Sequence, residues 1–175
     1  IVKYLVELMG GSISVNSAKG KGSTFTVQLT LPYAEELAEK DSTTAEQNLH
    51  GLHLLLAEDN PLNQELCLEL LKSRGISSDC AVNGKEALEL FTNSAPGTYA
   101  LILMDIQMPE MDGYEATCRI RALPDAKKAA LPIVAMTANA FEEDQKNALN
   151  AGMNGHIAKP LDIQKLFQVL SELLK

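Results

Sequence analysis

The sequence predicts an α/β protein: a doubly wound, five-stranded parallel sheet preceded by a small helix and β-hairpin. Two observations carry this. Between residues 51 and 175, apolar runs of strand length alternate five times with amphipathic helical stretches, an order that implies right-handed crossovers and parallel pairing. Residues 1–32 instead carry a short helical repeat followed by two-residue alternation, the pattern of a hairpin with one apolar face. The chain has 175 residues, 46% of them hydrophobic, which gives room for one domain plus a remainder and excludes a wholly disordered chain.

The elements follow in order. Ile1, Val2, Leu5, Leu8 and Met9 recur at helical spacing until Gly10 and Gly11 stop the run. Ile13 and Val15 then alternate with Ser12, Ser14 and Asn16, and after a Gly-rich turn Phe25, Val27, Leu29 and Leu31 alternate with polar neighbours. Thirty-two residues are too few to bury that face alone. Residues 33–50, YAEELAEKDSTTAEQNLH, sustain no apolar period beyond a weak helical one at their start and read as a linker.

The domain at 51–175 should hold strands at 52–57, 78–82, 101–105, 133–136 and 155–158, most of them near-continuously apolar as doubly covered strands are. The intervening helices show as stripes. They are Leu62, Leu66, Leu70 and Leu71; Ala87, Leu88 and Phe91; Ala116, Ile120 and Leu123; Ala148, Leu149 and Ala151; and Ile163, Leu166, Phe167, Leu170, Leu173 and Leu174 behind the N-cap Asp162.

Charge and composition remove several function classes. The net charge of −8 argues against a general nucleic-acid binder, which needs a basic face. No apolar run reaches the roughly 18 residues of a membrane span, and no leader pattern follows Ile1. The sequence is therefore expected to be a soluble, cytoplasmic piece of a longer protein, with any membrane anchor of the parent outside it. Cys67, Cys80 and Cys118 are unpaired by spacing and are read as small buried hydrophobes in a reducing compartment. His50 and His53 form an H-x-x-H pair with no third ligand nearby, so a metal site there is not expected.

In a doubly wound sheet, function belongs at the carboxyl ends of the strands. Those ends carry Glu58-Asp59, Asp105, Thr137 and Lys159-Pro160. Three carboxylates on one edge repel unless a cation joins them, and an all-oxygen donor set points to Mg²⁺.

These residues resemble those of a response-regulator receiver domain. The likeness rests on Glu58-Asp59-Asn60-Pro61, the run from Leu103 through Asp105 to Met108-Pro109-Glu110-Met111-Asp112-Gly113, Ala135-Met136-Thr137-Ala138, and Ala158-Lys159-Pro160, and it covers essentially all of 52–175. It implies the flavodoxin-like fold with strand order 2-1-3-4-5. It also implies Asp105 as phosphoacceptor, Mg²⁺ or Mn²⁺ held by Glu58, Asp59, Asp105 and the backbone carbonyl of Gln107, and Thr137 and Lys159 on the phosphoryl oxygens. Pro160 matches a cis-proline position. The donor implied is a phosphohistidine, on a kinase or a histidine phosphotransfer domain. Where many receivers carry an aromatic switch residue paired with the Thr, this chain has His156, so only the Thr137 half of the switch matches the family.

Two other readings compete for the same residues. Haloacid-dehalogenase-type enzymes place a second Asp two positions after the strand-end Asp, and here that residue is Gln107. A phosphorylation-independent interaction module need not keep Glu58, Asp59, Asp105, Thr137 and Lys159 together.

Residues 1–32 resemble the C-terminal end of a histidine-kinase ATP-binding domain, by the helix ending in Leu8-Met9-Gly10-Gly11 and by Gly20-Lys21-Gly22-Ser23-Thr24-Phe25. Gly20 and Gly22 would then be remnants of the ATP-lid region, and no ATP binding is expected of the 175-residue chain. Kinase end, linker and receiver in that order are the arrangement of a hybrid histidine kinase. The oligomeric state is not legible in the sequence.

Overall fold

The computed structural model describes residues 3, 6–7, 10–30, 49–137 and 142–174, the side chains of 142–144 excepted. It divides into two units, Ile1–Lys40 and Asp41–Lys175, and each is described by itself.

In the first unit β1 (Ser12–Ala18) and β2 (Gly22–Gln28) form an antiparallel ribbon that sets Ile13 opposite Val27 and Val15 opposite Phe25. The connecting turn needs left-handed backbone at Gly20 (φ 78°) and Gly22 (φ 86°), which glycine adopts without steric cost. Lys3, Val6 and Glu7 are helical, and the Gly10 and Gly11 N–H groups close that turn on Glu7 O and Val6 O. The helix-forming apolar residues Ile1, Val2, Leu5, Leu8 and Met9 lie outside the described residues, as do Leu31 and all but the last two positions of the predicted linker.

The second unit contains β3 (His53–Ala57), α1 (Pro61–Lys72), β4 (Ser77–Ala81), α2 (Gly84–Asn93), β5 (Leu101–Asp105), α3 (Gly113–Arg121), the single turn α4 (Ala126–Ala129), β6 (Ile133–Thr137), α5 (Glu142–Asn150), β7 (Gly155–Ala158) and α6 (Ile163–Leu173). The five strands pair in parallel in the order β4-β3-β5-β6-β7. Counted within this sheet that is 2-1-3-4-5.

Strand alternation divides the core into two layers. Leu55, Ile102, Met104, Ile133 and Ala135 pack with Ala87, Phe91, Ala116 and Ile120, while Leu54, Leu56, Leu101, Leu103, Val134 and Met136 pack with Cys67, Leu71, Leu166, Phe167 and Leu170. Each central strand is therefore apolar on both faces. Burying a side chain of this size contributes about 2 kcal/mol, so the sheet centre is held firmly and its polar strand ends are carried by a rigid support. Leu49 is also buried in the second layer.

The structure corrects four expectations. In α1 the buried residues are Cys67 and Leu71, whereas Leu62 (73% exposed) and Leu66 (49%) face outward. The helix phase is set at its first turn, where Asn63 and Gln64 bond to Glu58 at the end of β3, and this rotates the Leu62 edge away from the sheet. Leu149 is exposed while its neighbour Ala148 is buried, because one step along a helix turns the side chain by about 100°. Cys118 is exposed and Cys80 only half-buried. Cys118 falls between the inward Thr117 and Ile120 of α3 and points off the buried stripe. Finally α4, capped by Asp125, is an element the apolar periodicity does not announce.

Candidate functional site

Register places the site. Asp105 ends β5 opposite Met136, and Thr137 ends β6 opposite Ala158, so Asp105, Thr137 and Lys159 emerge side by side at one edge of the sheet. Glu58 joins the same edge through its N–H to Ala81 O (3.0 Å), and Lys159 through its N–H to Thr137 O (2.7 Å). The Lys159–Pro160 peptide is cis.

The loop after β5 is folded back on Asp105. The Gln107 N–H donates to Asp105 Oδ1 (3.3 Å), and the Gly113 N–H donates to Ile106 O (2.9 Å). A Cβ at Gly113 would stand 2.2 Å from the Asp105 carbonyl oxygen, so only glycine allows α3 to begin this close to Asp105 without displacing it.

Electrostatically the centre consists of two buried acids and one ammonium. Glu58 is 2% and Asp105 5% exposed. Lys159 Nζ bridges them, 2.5 Å from Glu58 Oε2 and 2.7 Å from Asp105 Oδ2. Burial pushes the Asp105 carboxyl up, against the opposing pull of Lys159. Burial alone would lower the Lys159 ammonium, but the hydrogen bonds and charges of Asp105 and Glu58 hold it above its ordinary value.

Glu58, the exposed Asp59 and Asp105 each bring one carboxylate oxygen to within 4.8 Å of the others. Clustered hard oxygen donors with no sulfur or imidazole among them suit Mg²⁺ or Mn²⁺ better than softer ions. His156 is half-buried on β7, its imidazole shifted down by burial and then by Lys165. Ala138 lies outside the described residues.

No motif singles out Asn63 and Gln64, yet both hold Glu58. Asn63 Nδ2 donates to Glu58 Oε1 (2.9 Å) and Gln64 Nε2 to the Glu58 carbonyl. The signal for them was positional: they occupy the first turn of a helix that begins two residues after the acidic pair, behind the N-cap Asn60. Glu58, Asn63, Leu66, Lys159, Pro160 and Leu161 line a cleft of about 300 Å³.

The two histidines have different neighbours. His53 bonds Ser77 (2.8 Å) and Asp79 (3.2 Å) and stacks on Tyr99, while the His50 ring lies against Gly75. Gly20 and Gly22 belong to the hairpin turn of the first unit.

Residues 54–171 match the family model described as the response regulator receiver domain. Among curated proteins, the aerobic respiration control sensor protein ArcB of Escherichia coli K12 is 36% identical over 173 residues, covering 98% of this chain and 22% of ArcB. Sensor protein EvgS of the same organism is 34% identical over 176 residues, covering 99% of this chain and 14% of EvgS. The chain thus spans less than a quarter of either relative. Among solved structures, the receiver domain of sensor histidine kinase PA1611 from Pseudomonas aeruginosa PAO1, with a magnesium ion coordinated in its active-site cleft, is 38% identical with a TM-score of 0.64, covering 71% of this chain and 98% of that one. The receiver domain of Saccharomyces cerevisiae Ssk1, crystallised with the histidine phosphotransfer protein Ypd1, is 32% identical with a TM-score of 0.62, covering 70% of this chain and 88% of that one.

Proposed function

The chain belongs to the response-regulator receiver family of hybrid sensor kinases, and on that premise we propose that it accepts a phosphoryl group on Asp105 from a phosphohistidine and passes it to a histidine phosphotransfer partner. The observation that carries this reading is the convergence of the buried Asp105 with Glu58, Asp59 and Lys159 at a single sheet edge. An Asp105 oxygen forms the new P–O bond while the P–N bond to imidazole breaks, and the imidazole leaves with a proton. Anion repulsion opposes that attack, so the equatorial phosphoryl oxygens must meet fixed positive charge. Lys159, already 2.7 Å from Asp105, supplies one such charge from this chain.

Glu58, Asp59, Asp105 and the Gln107 carbonyl would hold Mg²⁺, which supplies charge neutralisation on the phosphoryl oxygens when bound. The fit is one of donor chemistry: three clustered carboxylates and no softer ligand. Thr137 takes a phosphoryl oxygen through its hydroxyl and changes position as it does so, with His156 responding on the neighbouring strand. Residues 1–32 form the C-terminal part of a kinase ATP-binding domain and 33–50 the linker, a reading supported by an alignment with ArcB that runs over 98% of the chain.

The outward Leu62 and Leu66 stand on the helix that borders the cleft beside Lys159, and this apolar edge is where the phosphohistidine-bearing partner docks. Phosphotransfer from an isolated, phosphorylated histidine phosphotransfer domain tests the assignment. Label should pass to the chain in the presence of Mg²⁺ and not to Asp105→Asn. Leu66→Asp should slow transfer from the protein donor while leaving phosphorylation by a small acyl phosphate unchanged. Transfer to Asp105→Asn at the normal rate would refute the assignment.

A further inference from the structure

We propose that Asn63 is a positioning residue for the divalent cation, acting through Glu58. This rests on the metal reading given above, but the observation behind it is separate. Glu58 is almost wholly buried, and its two oxygens have different partners: Oε1 accepts from Asn63 Nδ2 (2.9 Å) and from the Asn60 N–H (3.4 Å), while Oε2 meets Lys159 Nζ (2.5 Å).

A glutamate has one more rotatable bond than an aspartate, and its terminal torsion is broad. Left alone, a glutamate at this position could turn either oxygen toward Asp105 or away from it. The Asn63 carboxamide removes that freedom. It donates to one oxygen, and the other then faces the Lys159 ammonium that also bonds Asp105.

The neutral carboxamide is suited to the task. It satisfies a buried carboxylate oxygen without adding a charge that would compete with the cation, whereas a lysine there would repel it. Position 63 lies on the first turn of α1, beside Gln64, whose carboxamide holds the Glu58 carbonyl. The helix start therefore fixes both the backbone and the side chain of this one acid. A partner that orients a metal ligand in this way commonly changes metal affinity by ten-fold or more when removed.

Calorimetric Mg²⁺ titration of the whole chain tests the proposal, using Asn63→Leu, which keeps the volume and lacks the donor, and Asn63→Gln, which carries the donor on a longer arm. The expected result is about ten-fold weaker Mg²⁺ binding for Asn63→Leu, with recovery in Asn63→Gln. The loss should vanish in a Glu58→Ala background, as a coupled pair requires. Thermal melts identify any variant that fails to fold, and Asn63→Ala then replaces it. Mg²⁺ affinity in Asn63→Leu within two-fold of the unaltered chain would overturn the positioning role alone. Absence of Mg²⁺ binding by the unaltered chain, or binding unaffected by Asp59→Asn and Asp105→Asn, would overturn the metal reading and this role with it. An equal loss in the Glu58→Ala background would also refute action through Glu58.

Discussion

At the scale of single residues, the site stores an electrostatic conflict that one ammonium relieves. Glu58 and Asp105 are both buried and both bonded to Lys159. Removing one partner of a buried ionic cluster leaves uncompensated charge, which costs about 3 kcal/mol. Lys159→Met should therefore lower stability by about that amount in urea unfolding at neutral pH. The loss should shrink on acidification, as the stranded carboxyls take up protons. Asp105→Asn should act in the opposite sense. Burial raises the Asp105 carboxyl in the folded chain, so its ionised form favours unfolding. That penalty is absent below the unfolded carboxyl's value, grows as pH rises from there to the raised folded value, and is complete above it. In the absence of divalent cations Asp105→Asn should thus be more stable than the unaltered chain at pH 7, with the difference closing as pH falls. Mg²⁺ should raise the melting temperature of the unaltered chain and not of Asp105→Asn, since a ligand that binds only the folded state stabilises it.

At the scale of elements, the helices and loops hold the strand ends in place, and this is where sequence and structure part. The strands were readable because each central one is apolar on both faces, and their polar ends stand out by contrast, so Glu58, Asp105, Thr137 and Lys159 could be found by position. The phase of α1 was not readable. Its leucines offer two possible stripes, and the choice falls to Asn63 and Gln64, whose hydrogen bonds to Glu58 exist only once β3 and α1 have met. Polar anchoring of this kind has no apolar period to reveal it. The same is true of Arg121 at the end of α3. Its guanidinium donates to Gly152 O (2.8 Å), Ala129 O (2.7 Å), Leu131 O (2.8 Å) and Asn154 Oδ1 (2.8 Å), joining α3, α4 and the loop before β7. Lysine cannot reproduce that fork. Arg121→Lys should cost about 2 kcal/mol in chemical denaturation while leaving Mg²⁺ affinity unchanged, because none of these bonds reaches the strand ends that carry the acids.

At the scale of the whole molecule, the charge balance takes on a specific meaning. Residues 52–175, with eleven basic and seventeen acidic side chains, carry −6 of the −8. Three of those acids are gathered within 4.8 Å rather than dispersed for solubility. The surrounding fold supplies what such a cluster needs: a parallel sheet that brings the strand ends into register, two apolar layers that keep it rigid, and a glycine at 113 that lets a helix begin against Asp105. Across these levels Asp105 is, on the proposed reading, the nucleophile and Lys159, with the acidic cluster, its support. Intact-mass spectrometry of the 175-residue chain, after incubation with a small acyl phosphate and Mg²⁺, tests this most directly. The account predicts a single labile phosphoryl adduct that requires the metal, maps to Asp105 and is absent from Asp105→Asn. No adduct on the unaltered chain, or an adduct that persists in Asp105→Asn, would contradict it.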